Sequence, residues 1–175
     1  MVSSSRINSS SPAPLLLLDV DGVISLFGFG ETYPPAGSGT IVDGIPHWIS
    51  ASVGPLVARL CAVFECVWCT GWEERAGEHL PSLLGIPGGW PHLSFGPPGN
   101  RTRHWKLDAI DAFTGPERPV AWVDDDHDET CEQWASSRIG PTLLVATDPA
   151  VGLTETQADQ LIAWARGQTA PHAPS

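Results

Sequence analysis

A run of four leucines that leads directly into two closely spaced aspartates is the feature that most restricts the fold of this sequence. The run Leu15–Leu18 precedes Asp19, Asp21 and Gly22. A short apolar run bounded by polar residues predicts a strand buried on both faces, as found inside parallel sheets. Open α/β sheets bind their ligands at the carboxyl ends of such strands. We therefore expect Asp19 and Asp21 to lie at the edge of a ligand-binding crevice.

Two carboxylates this close repel each other unless a cation lies between them. Mg²⁺, which takes hard oxygen ligands, is the simplest candidate for that cation. An Asp-x-Asp-Gly sequence is also ordinary turn chemistry, because Asp and Gly are both common in turns. Asp19 and Asp21 alone favour the two interpretations about equally, so the choice between them depends on the rest of the chain.

Length, composition and charge favour a single globular domain. The chain has 175 residues, of which 42% are hydrophobic and 17% charged, enough to bury a core. It contains no apolar run of membrane-spanning length and no signal-peptide pattern, so we expect a cytoplasmic protein without a membrane partner. The formal net charge of -11 repels polyanions and argues against nucleic acid as a partner.

The four cysteines do not form a specific metal-binding or redox motif. Cys66 and Cys69 have the spacing of half a zinc site, but no second pair follows them. On an extended strand their side chains would also point to opposite faces. We therefore predict buried free thiols rather than a zinc site or a redox pair.

Strand and helix patterns alternate along the chain. After the first strand, apolar runs predict strands at 66–69, 90–95 (an edge strand), 119–123 and 142–146. Helical spacing predicts helices at 54–65, 73–84, 100–113, 129–137 and, after a capping box at Thr154 and Gln157, to about 166. This alternation predicts an α/β fold, a three-layer α/β/α sandwich with a central parallel sheet.

One domain at 15–167 is predicted between two disordered ends. The leader at 1–14 is rich in Ser and Pro, and the tail at 168–175 is polar. Within the domain, residues 25–50 contain aromatic side chains among Gly and Pro, and Ile41-Val42-Asp43-Gly44-Ile45 carries the strongest short hairpin signal. We therefore predict a small β-hairpin flap that folds back near the end of the first strand.

Polar side chains of a few chemical types follow three of the predicted strands, and a lysine lies before the fourth strand. They are Asp19 and Asp21 after the first strand, Thr70 after the second, Lys106 near a helix start, and Asp124 and Asp125 after the fourth. In a parallel sheet these groups can converge, because all carboxyl ends lie at one edge. The set suits phosphoryl transfer: a carboxylate nucleophile, a second carboxylic acid as general acid/base, carboxylate-bound Mg²⁺, and a hydroxyl and an ammonium for the phosphoryl oxygens.

These residues, in this order, resemble the four motifs of the haloacid dehalogenase superfamily. The matching segments are Asp19-Val20-Asp21-Gly22-Val23, Thr70-Gly71, Lys106 and Val123-Asp124-Asp125. The resemblance covers about residues 15–146, and its first motif is the specific part. It implies a Rossmann-like fold of that family, with Mg²⁺ as cofactor and phosphomonoester hydrolysis as the activity.

The resemblance also implies a role for each motif residue. Asp19 would be the nucleophile and a Mg²⁺ ligand, and Asp21 would be the general acid/base, with its backbone carbonyl also binding the metal. The Thr70 hydroxyl would bind the phosphoryl oxygens, and the Lys106 ammonium would pair with them and with Asp19. Asp124, Asp125 or both would be further Mg²⁺ ligands. The second acid, Asp21, favours a phosphatase over a dehalogenase, because carbon–halogen cleavage needs neither a protonated leaving group nor Mg²⁺. Simpler interpretations are turn chemistry for Thr70 and a solvated helix position for Lys106.

The short connections between the motifs imply a capless or minimally capped family member. Such an open site suits a phosphoprotein or a small phosphomonoester, the latter also where a neighbouring subunit of a homo-oligomer covers it. The alternative is a non-catalytic module that binds metal or phosphate and recruits a protein partner through the flap. Phe27, Phe29 and Tyr33 would then be its contact residues.

Overall fold

The computed structural model describes residues 12–30, 34–96 and 103–169, in which strands and helices alternate. In chain order the elements are β1 (Leu15–Leu18), β2 (Ser25–Leu26), β3 (Gly37–Val42), β4 (Ile45–Ser50), α1 (Val53–Leu60), β5 (Glu65–Trp68), α2 (Glu74–Leu84), α3 (Leu107–Thr114), β6 (Val120–Asp124), α4 (Glu129–Ser137), β7 (Thr142–Ala146) and α5 (Glu155–Thr169). Four of the strands form one parallel sheet, in the order β5-β1-β6-β7. The predicted α/β class with a central parallel sheet is confirmed.

β1 lies inside the parallel sheet, as its four leucines predict. Leu18 pairs with Trp68 on one side and with Val123 on the other. The side chains of Leu15–Leu18 are completely buried, because helices cover the strand on both faces. Asp19, the next residue, therefore follows a central strand of the sheet rather than an edge strand.

The two faces of the sheet carry separate apolar cores, which gives three layers. Leu16 and Leu18 pack with α1, α2 and α5, whereas Leu15 and Leu17 pack with α3 and α4. This division follows from the alternation of side chains along a strand. No helix in the described part of the chain is both long enough and apolar enough to cross a membrane.

The cysteines follow the same division between the two cores. Cys66 packs in the core that contains α1, and Cys69 packs in the core that contains α3. All four cysteines have free thiols. The predicted buried free thiols are therefore present at Cys66 and Cys69, on opposite faces of the sheet.

The predicted flap is present as a small antiparallel sheet with the strand order β2-β4-β3. Asp43 and Gly44 join β3 to β4 with φ angles of 51° and 83°, as a two-residue type I′ turn requires. β2 follows Asp21 closely, because the Val20 carbonyl accepts hydrogen bonds from the three successive amides of residues 23–25 and reverses the chain. The flap therefore begins at the carboxyl edge of the parallel sheet.

Several predicted boundaries are wrong. Residues 90–95 form a single bridge to Trp68 rather than an edge strand; Pro91 accepts one hydrogen bond there but has no N–H to extend a ladder. α1 ends at Leu60 rather than at 65. α3 begins at Leu107, so Lys106 lies in the turn before the helix and not inside it.

Some predictions fall outside the described residues. These are the leader up to residue 11, Tyr33 in the flap, the helix cap at Asn100 and the tail from residue 170 onward. At the carboxyl end, Gln168 and Thr169 belong to α5, so the last helix is longer than predicted.

The first residues of α5 form the predicted capping box, which allows a stability test. The Thr154 hydroxyl accepts from the Gln157 amide over 3.3 Å, and the Gln157 side chain accepts from the Thr154 amide over 3.0 Å. We expect Thr154→Ala to lower the free energy of unfolding by about 1 kcal/mol, measured by urea denaturation.

Ser52→Ala is the matched control. Ser52 occupies the predicted cap position of α1, but its hydroxyl lies 3.2 Å from the Ser50 hydroxyl and makes no hydrogen bond to the helix backbone. The change should therefore alter the free energy of unfolding by less than about 0.5 kcal/mol. Equal losses in the two variants would contradict the assignment of the cap to Thr154.

Candidate active site

Three aspartates converge where the neighbouring strands β1 and β6 end. Asp19 follows β1, Asp124 is the last residue of β6, and Asp125 comes directly after it. The Asp19 amide donates to the Val123 carbonyl over 3.0 Å, which keeps the two strand ends side by side. Each aspartate offers a carboxylate oxygen within 4.8 Å of the other two. We call these three residues the acidic cluster.

Lys106 joins two members of the acidic cluster. Its Nζ lies 2.8 Å from Oδ2 of Asp19 and 2.7 Å from Oδ2 of Asp124. All three side chains are buried, so Lys106 is not the solvated helix residue of the simpler interpretation. The Trp122 indole N–H also donates to Oδ2 of Asp124, over 2.9 Å, and fixes that carboxylate further.

The electrostatics of the acidic cluster favour an additional cation. Burial raises the pKa of Asp19 to about 7 against the attraction of Lys106, and the charge of Asp124 adds to the rise. Burial likewise raises the pKa of Asp125, again with a contribution from Asp124. Burial alone would lower the pKa of Lys106, but the attraction of Asp19 and Asp124 keeps this pKa above the ordinary value. One ammonium thus faces three carboxylates, and a divalent cation would favour their ionised forms.

The donor set of the acidic cluster fits a hard cation. It consists of carboxylate oxygens alone, and it is the group with metal-ligand spacing found among the described residues. In six-coordinate Mg²⁺ the ligand oxygens lie about 3–4 Å apart. The carboxylate oxygens of the acidic cluster lie within 4.8 Å of one another, so only small side-chain movements would bring them to these distances. Asp19, Asp124 and Asp125 could hold a metal ion.

Gly22 is required for the position of Asp125. Its φ angle of +71° is one that other residues resist, and a Cβ at this position would overlap the Asp125 carboxyl group. The glycine of the Asp-x-Asp-Gly segment thus allows the chain to turn and also leaves room for the third carboxylate. The turn interpretation of this segment is therefore confirmed, and the metal-site interpretation stays a prediction that this geometry permits.

We expect Gly22→Ala to weaken Mg²⁺ binding by about tenfold or more, because the new methyl group displaces Asp125 from the acidic cluster. Titration calorimetry with MgCl₂ measures the change. Gly28→Ala is the matched control: Gly28 has a similar φ of +76°, but its new methyl group would meet nothing within 4 Å, so Mg²⁺ affinity should stay within about twofold. Equal effects in the two variants would show that backbone strain, and not Asp125, is responsible.

Asp21 lies outside the buried cluster, at the boundary between the core and the flap. Its side chain is 51% exposed. The Trp72 indole N–H donates to Oδ2 of Asp21 over 3.0 Å, and Nδ1 of His47 lies 3.7 Å from Oδ1. His47 also shares a hydrogen bond with the Ser25 hydroxyl, over 3.0 Å. The carboxyl group of Asp21 therefore has contacts on both of its oxygens, yet half of the side chain stays exposed to solvent.

Thr70 is completely buried in the turn after β5. Its hydroxyl accepts a hydrogen bond from the Trp72 amide over 3.3 Å. This contact is the turn role considered for Thr70 from the sequence. Its role in binding phosphoryl oxygens stays a prediction.

Sequence patterns alone do not predict two residues of the site, Trp72 and His47. Trp72 could have been suspected, because it lies two positions after Thr70 in the turn that ends β5. His47 carries no such signal, since it reaches Asp21 only through the pairing of β2 with β4. Both contacts depend on side-chain directions across different elements, which residue spacing does not encode.

Comparisons with known proteins add no further assignment. The chain matches no protein-family model, and no curated protein matches it.

Proposed function

We propose that this protein is a Mg²⁺-dependent phosphohydrolase that cleaves phosphomonoesters through an aspartyl-phosphate on Asp19. The observation that carries the proposal is the buried bridge from Lys106 to Asp19 and Asp124, at the carboxyl edge of a parallel sheet and beside Asp125. Buried ion pairs contribute little net stability, so a charged network of this kind favours a functional explanation. The motif resemblance to a capless or minimally capped haloacid dehalogenase enzyme supports the same reaction.

In the first half of the reaction, a carboxylate oxygen of Asp19 attacks phosphorus and forms an acyl phosphate. The bond from phosphorus to the ester oxygen breaks, and Asp21 donates its proton to the departing alkoxide. Lys106 orients Asp19 and neutralises charge on the phosphoryl oxygens, and Thr70 is the proposed hydroxyl donor to them. Asp21 is suited to its role because it is exposed and oriented by Trp72.

In the second half, Asp21, now ionised, accepts a proton from a water molecule that attacks the acyl phosphate. This step releases inorganic phosphate and restores Asp19. Mg²⁺, held by Asp19, Asp124, Asp125 and the backbone carbonyl of Asp21, would screen the approach of the anionic carboxylate to the anionic substrate. Each residue thus ends the cycle in its starting protonation state.

A second candidate function is the non-catalytic module that binds a protein partner through the flap. It is favoured by the exposed apolar side chains of the flap, of which Ile41 is 73%, Ile45 57% and Phe27 48% exposed. Phe29 is half-buried. The presence of every residue type required for hydrolysis favours the enzyme.

Phosphate release from a panel of phosphomonoesters tests the proposal. The panel should include alkyl and aryl phosphates, sugar phosphates and phosphopeptides, each assayed with Mg²⁺ and with a chelator. We expect turnover with Mg²⁺ and its loss on chelation. Mg²⁺ binding without turnover of any ester would overturn the proposed enzymatic function and favour the non-catalytic binding module.

A further inference from the structure

A cavity of about 510 Å³ lies between the flap and the start of α2, with Asp21 in its wall. The flap contributes Leu26, Phe27, Ile45 and Pro46, and the core side contributes Gly71 and Trp72. This volume is in the range of small-molecule sites. Because Asp21 is the proposed proton donor to the leaving oxygen, a leaving group bound in the cavity would place that oxygen next to it.

The polar side chains around the cavity bond to one another. Arg75 lies 3.2 Å from Asp43, and that pair joins α2 to the tip of the hairpin. Ser25 bonds to His47, and the Trp72 indole bonds to Asp21. These contacts occupy part of the hydrogen-bonding capacity around the cavity, so fewer donors and acceptors remain for a polyhydroxylated leaving group, whereas an apolar one does without them.

The remaining surface of the cavity is apolar and partly aromatic. The rings of His47 and Trp72 lie 4.5 Å apart between centroids and are tilted by 55°, so that they form a corner. Flat ring systems bind well against such surfaces through offset-stacked and edge contacts. The cavity also disfavours a second anionic group, because Asp21 is acidic and the charge of Arg75 is already balanced by Asp43.

We propose that this cavity binds the leaving group, and that the substrate is a small phosphomonoester whose alcohol carries a flat, uncharged ring. The inference rests on the proposed phosphohydrolase function. The volume of the cavity suits a small molecule rather than a phosphoprotein, and the Arg75–Asp43 bridge forms part of its wall between α2 and the hairpin tip. Ile45 and Phe27 are then specificity-determining residues of the flap.

The test compares kcat/KM for benzyl phosphate and ethyl phosphate. Their leaving alcohols have similar acidity, so the ratio reports recognition of the ring rather than leaving-group reactivity. We expect the wild-type protein to favour benzyl phosphate by about tenfold or more. Ile45→Ala should lower this ratio by about threefold or more, since it removes apolar lining from the cavity.

Ile41→Ala is the matched control. Ile41 is an exposed isoleucine of the same hairpin, but it does not line this cavity. Its replacement should leave the benzyl-to-ethyl ratio unchanged. Both isoleucines are largely exposed, so neither substitution removes a core side chain.

Binding of benzylphosphonate and ethylphosphonate, measured by calorimetry with Mg²⁺, separates the two possible failures. If no ester is hydrolysed but benzylphosphonate binds more tightly in a manner that depends on Ile45, the cavity assignment stands and the proposed function fails. Equal turnover of both esters and equal binding of both phosphonates would overturn the inference about the cavity but would agree with the proposed phosphohydrolase function. Preferred hydrolysis of a phosphotyrosine peptide over phenyl phosphate, which also releases a phenol, would overturn it too, because the substrate would then be a phosphoprotein.

Discussion

Asp19→Asn is expected to lower kcat for phosphomonoester hydrolysis by about 10⁴-fold or more. An amide oxygen cannot replace the carboxylate that attacks phosphorus, and removing a catalytic nucleophile abolishes most of the rate enhancement. The fold should persist, because Lys106 keeps its 2.7 Å contact with Asp124. The measurement is Mg²⁺-dependent phosphate release at saturating substrate, with urea denaturation to confirm that the variant is folded.

Asp126→Asn is the matched control for Asp19→Asn. Asp126 lies in the same acidic run as Asp124 and Asp125, but it is exposed and outside the acidic cluster. Its contact with Asp124 comes from its backbone amide, over 3.1 Å, and asparagine retains it. The variant should keep kcat within about threefold of the wild type. More than about one per cent residual activity in Asp19→Asn would rule out Asp19 as the nucleophile.

Removal of the Asp19 charge should not reduce stability. The pKa of Asp19 is raised by burial, which means that its ionised form is unfavourable in the folded protein when no cation is bound. We therefore expect the free energy of unfolding of Asp19→Asn, measured in a chelator at pH 8, to be no lower than that of the wild type. An active site that is less stable with its functional residue than without it is a common consequence of catalytic requirements.

The strand ends could be predicted from the sequence because their signals are local. The leucine run before Asp19 specifies a fully buried strand, and a parallel sheet then brings Asp124 to the same edge. The hairpin is likewise local, since an Asp-Gly pair adopts the positive φ angles of its turn. These features required no knowledge of side-chain packing between distant parts of the chain.

Features that depend on competition between partners could not be predicted. Ser52 has the residue type of a helix cap, but its hydroxyl lies against Ser50 instead. The segment around Pro91 has an apolar pattern, yet it forms only one bridge to the edge strand. Lys106 lies in a turn and contacts two buried carboxylates from other elements, and helical periodicity does not indicate such contacts.

The surroundings of Asp21 show the same limit within the site. Its contacts come from Trp72, 51 positions away in the chain, and from His47, on the central strand of the flap. Which indole or imidazole reaches a carboxylate depends on rotamers and on how the flap packs, not on residue spacing. The sequence therefore predicted which acids lie at the strand ends but not the groups that orient the proposed proton donor.

Lys106→Met is expected to lower the free energy of unfolding by about 3 kcal/mol when measured in a chelator at pH 8. The substitution leaves Asp19 and Asp124 buried without their shared cation, and breaking a buried ion pair from one side is strongly destabilising. Mg²⁺ should restore much of the loss, because it binds the folded protein and supplies the missing positive charge. Urea denaturation with and without Mg²⁺ measures both effects.

The pH dependence of this loss has a definite sign. The folded-state pKa of Asp19, about 7, exceeds the ordinary value of 3.8, so the folded protein binds this proton more tightly than the unfolded chain does. Stability attributable to Asp19 therefore falls as the pH rises through that interval. Removing Lys106 raises the pKa of Asp19 further, so the loss in Lys106→Met should be larger at pH 8 than at pH 5. A loss independent of pH would indicate that packing, and not charge, is its cause.

Arg103→Met is the control that tests whether the loss of stability requires a buried ion pair or only an ion pair. Arg103 also contacts two carboxylates, those of Asp108 at 2.8 Å and Asp111 at 2.9 Å, but on the surface. Exposed ion pairs are screened by solvent, so this variant should lose less than about 1 kcal/mol and show no dependence on Mg²⁺. If both variants lose the same free energy, the buried bridge of Lys106 has no special electrostatic role. A large, Mg²⁺-sensitive loss in Lys106→Met alone would locate the cation requirement at Asp19 and Asp124, where the proposed reaction takes place.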